Sequence, residues 1–474
     1  MANIHFGTDG WRDIIAAGFT VDNVARVAWA VAQWALSKGP DPAVVVGYDT
    51  RFGGKMFAET VAKVLSLKNV KVYLSPDHVT TPMVSYGVKA LKAYGGVMIT
   101  GGYYPPQYNG IRLKGPLGGP LDSAETKVIA SLVPEVNEVS LESIRWDVRL
   151  SADQIIYTDL EQLYFEYVTS RFPDLAGRSE DVPRLAFDVM YGAAGRIIPR
   201  LFPGADCFHC EENPTFHNMP PEPVPYRLID FSEIMQRQGP YDLGIALDGD
   251  ADRLALLDPE GNFIDAHHIL LLLVNYLAGR KKMKGKVVTG FSTTVMLDKL
   301  CQHYGLEVQR VPAGFKAISS VIRQDDVLMG GEESGSIALA THIPERDGIW
   351  VALTILQYMH DTGKSIRELL DEAEKLTGPF ACERVDFPMS QEEIRAIMKR
   401  CREGYFENFG PFRVTHTLEF DGYKYFFNDQ EWLMIRPSGT EQVLRLYAEG
   451  KDRERMENIF KAAYETLAGV LKEK

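Results

Sequence analysis

Apolar residues recur along the chain with two spacings, which predict alternating helices and strands. Between residues 22 and 36 they fall at every third or fourth position, as in an amphipathic helix. The unbroken apolar run at 43–46 ends at Gly47 and predicts a buried strand. Helices at 57–67 and 83–93 and strands at 70–74 and 96–100 continue the alternation. This βαβα order predicts a mostly parallel sheet covered by helices.

Two further α/β units and a different C-terminal unit follow along the chain. The second unit is predicted to contain a helix at 160–171 and strands at 185–190 and 243–247. The third contains a helix at 293–304 and strands at 286–290, 306–311 and 327–330. After Gly378 an α+β pattern follows, with helices at 391–402 and 452–471 and strands at 414–420, 431–435 and 443–448. We expect connectors near 141–155, 254–262 and 372–380.

Length and charge restrict the function classes. A chain of 474 residues suggests three or four domains. With 51 basic and 64 acidic side chains the net charge is −13, which argues against a general nucleic-acid binder. The first residues show no basic segment followed by an apolar one, and the longest apolar run, 269–279, is interrupted by Asn275. We therefore expect a cytoplasmic protein with small-molecule partners and no membrane partner.

The five cysteines predict neither a disulfide framework nor a metal site. Cys207 and Cys210 form a single C-x-x-C with His209 between them. A zinc site of this type normally uses a second pair, which the chain lacks. We therefore expect all five cysteines to be reduced.

The strongest chemical motif is the acidic loop after the apolar strand at 243–247. Asp248, Asp250 and Asp252 alternate with Gly249 and Ala251. Three carboxylates so close repel one another unless a cation lies between them. Oxygen ligands at this spacing suit a hard divalent ion such as Mg²⁺, and α/β folds place sites at the carboxyl ends of their strands. A solvated acidic turn is the alternative interpretation.

Three other segments carry candidate ligand-binding groups. Residues 436–441, Arg-Pro-Ser-Gly-Thr-Glu, offer a guanidinium, two hydroxyls and a glycine turn, which suit a phosphate but also fit a plain β-turn. Residues 331–335, Gly-Glu-Glu-Ser-Gly, suit sugar hydroxyls or form an exposed acidic turn. Residues 6–12, Phe-Gly-Thr-Asp-Gly-Trp-Arg, offer further polar groups or a fixed N-terminus.

These segments, in this order, resemble the α-D-phosphohexomutase family of phosphoglucomutases and phosphomannomutases. The likeness extends from Phe6 to Arg445 and includes weaker matches at 47–51, 81–82 and 314–316. It implies three similar α/β/α domains with mixed, mostly parallel sheets and a C-terminal α+β phosphate-binding domain around a central cleft. The expected domains are 1–150, 151–256, 257–375 and 376–474.

The resemblance implies a role for each motif and a reaction. Asp248, Asp250 and Asp252 would hold Mg²⁺, and Glu332 and Ser334 would hold sugar hydroxyls. The non-transferred phosphate would be bound by Arg436, Ser438, Gly439, Thr440 and Arg445. Arg12, Lys316 and Arg253 would line the transfer centre. The implied isomerase interconverts hexose 1-phosphate and hexose 6-phosphate, of glucose or mannose, through a hexose 1,6-bisphosphate, as a monomer or homodimer.

The loop that carries the family's phosphoserine is altered in this chain. The family pattern Thr-Ala-Ser-His-Asn-Pro corresponds here to residues 100–105, Thr-Gly-Gly-Tyr-Tyr-Pro, so Gly102 takes the serine position and Tyr103 the next. Glycine has no hydroxyl to phosphorylate. The Tyr103 hydroxyl lies at the far end of a rigid ring, and a misplacement of about 1 Å costs roughly 10²-fold in a positioned reaction. Thr100 is constrained by the end of its strand.

The altered loop leaves several interpretations open. In the first interpretation the chain is a mutase that uses an unusual nucleophile or a supplied bisphosphate. In the second it is a relative that binds Mg²⁺ and hexose phosphates without isomerising them. Water in the vacated space would instead give a sugar-bisphosphate phosphatase. Two further interpretations are that the loop is an engineered replacement and that it is folded but takes part in no chemistry.

Overall fold

A computed structural model describes residues 4–7, 10–137, 139–178, 182–438 and 442–472. They form two compact units, each contributed by two stretches of the chain. The first unit comprises Met1–Ile269 and Gly314–Arg367, and the second comprises Leu270–Ala313 and Glu368–Lys474. No helix among the described residues is both long and apolar enough to cross a membrane.

The first unit begins with a six-stranded sheet and its covering helices. Its elements, numbered in chain order, are β1 (Trp11–Ile14), α1 (Val21–Leu36), β2 (Ala43–Tyr48), α2 (Gly54–Leu67), β3 (Lys71–Leu74), α3 (Thr81–Ala90), β4 (Gly95–Ile99), β5 (Tyr108–Lys114), α4 (Ser123–Leu132), α5 (Trp146–Ser151) and β6 (Ile155–Tyr157). The strand order is β1-β5-β4-β2-β3-β6. The pairs β2–β4, β2–β3 and β3–β6 are parallel, whereas β5 pairs antiparallel with β4 and β1.

Local interactions fix the start of α1 and its packing against the sheet, whereas pairing with β3 defines β6. The Thr20 side chain accepts a hydrogen bond from the backbone of Asn23 and caps the start of α1. Phe19 packs between Trp11 and Phe57, with ring centroids 4.9 and 4.7 Å away. The polar stretch 141–155, expected to be a connector, instead contains α5 and the first residue of β6. These residues extend the sheet because their backbone pairs with β3.

A second sheet completes this α/β layering in the same unit. Its elements are α6 (Leu160–Arg171), β7 (Leu185–Asp188), α7 (Ile198–Leu201), β8 (Asp206–Phe208), α8 (Ile229–Gln238), β9 (Leu243–Leu247), β10 (Leu254–Leu257) and β11 (Phe263–Ile264). The order is β11-β10-β9-β7-β8, with β8 and β9 parallel to β7. Residues 254–257 were expected to begin a connector. They form β10 instead, because their four side chains are buried and their backbone pairs with β9.

The next elements along the chain are divided between the two units. They are α9 (Ala266–Val274), β12 (Lys286–Gly290), α10 (Met296–Tyr304), β13 (Val308–Val311), α11 (Phe315–Ile322), β14 (Val327–Gly331), β15 (Ile337–Leu339), α12 (Gly348–Thr362) and α13 (Ile366–Thr377). In the second unit β12 and β13 pair in parallel. In the first unit β14 and β15 form an antiparallel pair. Helix α13 extends into 372–380, where a connector was expected.

The C-terminal part of the second unit is an antiparallel sheet with two helices. Its elements are β16 (Ala381–Pro388), α14 (Gln391–Arg402), β17 (Asn408–Phe409), β18 (Phe412–Arg413), β19 (His416–Glu419), β20 (Tyr423–Phe426), β21 (Trp432–Pro437), β22 (Val443–Gly450) and α15 (Arg453–Lys472). The order is β16-β22-β21-β20-β19. Ser390 and Glu393 form a capping box that begins α14. The predicted class of α/β units plus an α+β unit is confirmed, while the expected domain boundaries stay a prediction.

Candidate active site

Gly102 lies at the carboxyl end of β4, in a tight turn of buried backbone. Its φ is +59°, a left-handed conformation that glycine adopts without a Cβ penalty. Its N–H donates to the Thr100 hydroxyl at 2.8 Å, and that hydroxyl donates to Oδ2 of Asp49 at 2.5 Å. Thr100 is fully buried, so its hydroxyl is engaged in holding the turn. Burial raises the pKa of Asp49 to about 6, although Arg51 opposes this shift.

Arg51 fixes the loop that follows. Its guanidinium donates to the carbonyl oxygens of Gly102, Tyr104, Pro105 and Tyr108. Three of these distances are 2.6, 2.8 and 3.0 Å. The arginine is 2% exposed, so the contacts are shielded from water. One buried side chain therefore organises the backbone of the whole loop. The sequence marks Arg51 only as part of the weaker family match at 47–51.

The structure brings the three predicted carboxylates together directly after β9. Ligand oxygens of Asp248, Asp250 and Asp252 lie within 4.8 Å of one another, and all three side chains are buried. Burial, followed by the charges of Asp252 and Asp250, raises the pKa of Asp248 well above its usual value. Such a cluster is unstable without positive charge beside it.

This triad fits a divalent cation. Oδ2 of Asp248 and Oδ1 of Asp250 are buried and have no hydrogen-bond partner within the described structure. Buried carboxylate oxygens in this state are costly unless a ligand completes them, and hard oxygen donors are what Mg²⁺ takes. Thr81 orients Asp250 by donating to its other oxygen at 2.6 Å. A Mg²⁺ held here would supply Lewis acidity next to the Gly102 turn.

Two arginines that sequence reasoning missed contact the same triad. Nη1 of Arg112, on β5, lies 2.8 Å from Oδ2 of Asp250 and pairs closely with Oδ2 of Asp252. Nη2 of Arg346, just before α12, lies 2.7 Å from Oδ2 of Asp252. Both arginines are almost fully buried. Arg112 follows directly after the family-like stretch 107–110 and Ile111, but nothing local marks it as part of the site.

Arg253 and Arg12 lie over the two tyrosines of the altered loop. The guanidinium carbon of Arg253 is 3.9 Å from the ring centroid of Tyr103, and that of Arg12 is 4.9 Å from the ring centroid of Tyr104. Cations over aromatic faces are attracted by the ring quadrupole. The two arginines thus lie against the two residues that follow Gly102 in the loop, and the roles expected for Arg12, Arg253 and Tyr103 stay predictions.

The predicted sugar loop is turned toward the start of α11. Oε1 of Glu332 accepts a hydrogen bond from Gly314 N–H at 2.7 Å. Burial raises the pKa of Glu332, and neighbouring Glu333 raises it further. The Ser334 hydroxyl lies 3.3 Å from that of Ser336. Lys316, expected at the transfer centre, donates to Thr126 of α4 at 2.8 Å.

The predicted phosphate loop joins β21 to β22 in the second unit. Arg436 and Arg445 are direct partners across these strands. Arg436 lies 3.0 Å from Asp421, and Arg445 lies 3.6 Å from Asp386. Ser438 closes the hairpin through its N–H, which donates to the Val443 carbonyl at 3.1 Å. Gly439 and Thr440 lie outside the described residues.

The expectation of five reduced cysteines is wrong for two of them. Cys207 and Cys210 form a disulfide at the end of β8, with their Cα atoms 6.1 Å apart. A three-residue separation allows this bond because the strand ends and the chain turns back. His209, between them, pairs with Asp188 at 3.0 Å. The other three cysteines are buried and keep their thiols.

Four segments match the phosphoglucomutase/phosphomannomutase models: alpha/beta/alpha domain I at 3–140, domain II at 162–261, domain III at 265–376 and the C-terminal domain at 384–466. The chain belongs to the α-D-phosphohexomutase family.

The similar proteins are named as mutases of different sugar phosphates. A phosphoglucosamine mutase of Deinococcus radiodurans is 31% identical, over 96% of this chain and 95% of its own. A phosphoglucomutase/phosphomannomutase of Thermococcus kodakarensis is 27% identical, over 98% of this chain and 99% of its own. A crystal structure from Thermus thermophilus, assigned as a phosphomannomutase, has a TM-score of 0.84 at 32% identity, covering 98% of this chain and 99% of its own.

Proposed function

We propose that this protein recognises hexosamine 1- and 6-phosphates, glucosamine phosphate first among them, in a Mg²⁺-containing phosphohexomutase site that lacks a covalent phosphoryl acceptor. The sugar class is supported by the similarity to phosphoglucosamine mutases along almost the whole chain. This changes the glucose or mannose preference expected from the motifs alone. The family's reaction is phosphoryl transfer between two positions of one sugar, and the proposal is that this chain keeps the recognition of the sugar phosphate without that transfer.

The observation that carries this proposal is the backbone of Gly102 beside an intact triad. The turn that would present a hydroxyl is fully organised by Thr100 and Arg51, yet it presents none. The acid cluster, the glutamate of the sugar loop and the two cross-strand arginines are all retained. These groups support the proposal of ligand recognition, whereas an ester that stores a phosphoryl group has no attachment atom at residue 102.

Each of these groups has a distinct proposed task. Asp248, Asp250 and Asp252 would hold Mg²⁺, which screens phosphoryl charge when bound. Glu332 would accept hydrogen bonds from sugar hydroxyls, either in place of the hydrogen bond from the Gly314 N–H or in addition to it, since a carboxylate has several lone pairs. Arg436 and Arg445 bind the phosphate that is not transferred.

The test measures binding and turnover separately. Calorimetric titration with glucosamine 6-phosphate and glucose 6-phosphate in the presence of Mg²⁺ should show binding, with glucosamine 6-phosphate the tighter ligand. Assays for conversion of glucosamine 6-phosphate to the 1-phosphate, with and without added glucose 1,6-bisphosphate, should show no turnover. Absence of binding refutes the recognition proposal, and turnover refutes the statement that the acceptor is missing.

A second candidate is a working mutase with Tyr103 as the acceptor. It is favoured by the position of the Arg253 guanidinium, 3.9 Å from the Tyr103 ring, because a cation there would stabilise a phosphorylated side chain. Intact-mass measurement after incubation with glucose 1,6-bisphosphate separates the two candidates. A stable gain of one phosphoryl group that maps to Tyr103 and is absent in Tyr103→Phe supports the second.

A further inference from the structure

The disulfide between Cys207 and Cys210 lies at the outer edge of the second sheet. Strand β8, which ends at Phe208, is the last strand in the order β11-β10-β9-β7-β8. Both cysteines are half-buried, whereas the three that keep their thiols are buried. A disulfide across three residues closes a short loop and removes little chain entropy from the unfolded state. It therefore adds little to the stability of the fold, and its position leaves it open to thiol exchange.

His209 places a basic group between the two cysteines. Its Nδ1 lies 3.0 Å from Oδ2 of Asp188, whose side chain is almost fully buried. This hydrogen bond raises the pKa of His209, although burial opposes the shift. A protonated imidazole beside a cysteine stabilises the thiolate, which is the form that attacks and leaves in exchange. The chemical setting therefore suits a disulfide that opens and closes.

A short segment with two glycines connects this disulfide to the loop that carries the three aspartates. A Cβ on Gly195 would lie 2.5 Å from the carbonyl oxygen of Cys210. A Cβ on Gly192 would lie 2.8 Å from the carbonyl oxygen of Gly249, which lies inside the aspartate loop. The Ala193 N–H donates to the same Gly249 oxygen at 2.9 Å. The segment thus packs against the disulfide at one end and against the aspartate loop at the other, with no room for a side chain at either contact.

Two further backbone contacts tie the same parts together. The Tyr191 N–H donates to the carbonyl oxygen of His209 at 2.8 Å, and the Gly249 N–H donates to that of Pro221 at 3.2 Å. The backbone of Gly249 is therefore held by segments that precede and follow the disulfide in the chain. A disulfide that fixes this backbone lowers the cost of ordering the aspartate loop around a cation.

We propose that Cys207 and Cys210 form a reversible thiol–disulfide switch that reacts with dithiols and sets the affinity of the aspartate triad for a divalent cation. The inference rests on the Mg²⁺ site of the proposed function and adds its control by redox state. The oxidised form is the form that binds the cation more tightly.

Reduction of the switch consumes one dithiol. A thiolate of the dithiol attacks one of the two cysteine sulfurs, and the other cysteine leaves as a thiolate. The second thiol of the reductant gives its proton to that cysteine and, now a thiolate, breaks the mixed disulfide. Two electrons pass to the protein, which gains one thiol and one thiolate, and the reductant leaves as a disulfide.

The first test measures binding of Mn²⁺, used in place of Mg²⁺, by electron paramagnetic resonance. It compares oxidised protein with protein that was reduced by dithiothreitol and then freed of it without air. Intact mass after alkylation verifies the state of the pair. The oxidised form should bind Mn²⁺ about fivefold or more tightly. The double variant Cys207→Ser, Cys210→Ser is the control, and it should bind like the reduced wild type both before and after treatment with the dithiol.

The second test uses wild-type protein alone. By linkage, a cation that prefers the oxidised form stabilises the disulfide by the same factor. The protein is equilibrated with reduced and oxidised dithiothreitol in varied ratio, with and without saturating Mg²⁺, and the reduced fraction is measured by mass. Mg²⁺ should raise the ratio of reduced to oxidised dithiothreitol at half-reduction by about fivefold or more, and an unchanged midpoint refutes the switch.

The outcomes separate this inference from the proposed function. If Mn²⁺ binds the oxidised and the reduced wild type equally, or if the double variant still responds to the dithiol, the switch is refuted and the metal site stands. If Mn²⁺ binds neither form, the metal site of the proposed function fails and the switch fails with it.

Discussion

Arg436 and Arg445 face each other as direct cross-strand partners on β21 and β22. Like charges at such positions repel, and Asp421 and Asp386 lie beside them at 3.0 and 3.6 Å. A phosphate between the two guanidinium groups would remove the repulsion. If the pair binds a phosphate as proposed, some stability of the hairpin is exchanged for affinity toward that anion.

Replacing Arg445 by Ala should weaken binding of glucosamine 6-phosphate by about tenfold to 10²-fold, since a charge-assisted bidentate contact contributes about 1.5–3 kcal/mol. Thermal stability should be unchanged or slightly higher, because a like-charge pair is removed. Titration calorimetry measures the affinity. Arg453→Ala, an exposed arginine paired with Glu383, is the matched control, and an equal loss in both variants would contradict the assignment.

Asp250→Asn should reduce affinity for Mn²⁺, used as a spectroscopic substitute for Mg²⁺, by about tenfold or more, because one carboxylate charge of the triad is lost. Electron paramagnetic resonance of free Mn²⁺ measures the binding. Asp147→Asn, at an exposed aspartate paired with Arg145, should leave the affinity unchanged. Wild-type affinity in Asp250→Asn would show that the metal lies elsewhere.

Restoring a hydroxyl at position 102 should not by itself restore a phosphoprotein. In Gly102→Ser the new side chain meets Nη2 of Arg112, and a non-glycine residue at φ +59° costs about 1–2 kcal/mol. The double variant Gly102→Ser, Arg112→Lys frees that volume, so the hydroxyl can take a phosphoryl group from glucose 1,6-bisphosphate.

Intact-mass measurement should therefore show one added phosphoryl group in the double variant, formed about tenfold or more faster than in the single variant, a barrier difference of about 1.4 kcal/mol. Gly102→Ser combined with Arg237→Lys is the control for the second substitution. Equal phosphorylation of the single and double variants would show that Arg112 does not obstruct position 102.

Arg51→Lys should loosen the loop at 101–109. A lysine ammonium has three donors and no fixed plane, so it cannot serve four carbonyl oxygens at once, and the loss should be about 2–4 kcal/mol of local stability. Hydrogen exchange of these amides should accelerate. Arg149→Lys, half-buried on α5, is the control, and unchanged exchange in Arg51→Lys would contradict the clamp.

The stability contributed by Asp49 should depend on pH. Its pKa is about 6 in the folded protein against 3.8 usually, so the folded state binds the proton more tightly than the unfolded state. The contribution is therefore complete below about pH 4 and is lost as the pH rises through about 6, by at most about 3 kcal/mol. Asn carries no titrating proton, so differential scanning calorimetry without divalent cations should show wild type losing stability relative to Asp49→Asn as the pH rises over that range. A constant difference would mean that Asp49 does not titrate there.

Elements with strong local signals were predicted well, and those defined by pairing were not. The helices α1 and α14 have clear apolar faces and caps, and both lie close to where the sequence pattern placed them. Strand β5 was missed because its alternation rests on only two apolar residues, Ile111 and Leu113, between the polar Arg112 and Lys114. It is nevertheless a strand, because β4 and β1 supply hydrogen-bond partners on both sides.

The sequence by itself determined the acidic triad and the missing hydroxyl. Asp248, Asp250 and Asp252 follow one strand within five residues, so chain geometry alone brings them close, and Gly102 cannot carry an ester in any fold. Only the tertiary structure decided what balances the triad. Arg112 meets Asp252 across a separation of 140 residues, and such a contact depends on the packing of the two sheets rather than on any local pattern. A buried charge is stable only beside its partner, and the folded chain alone brings the two together.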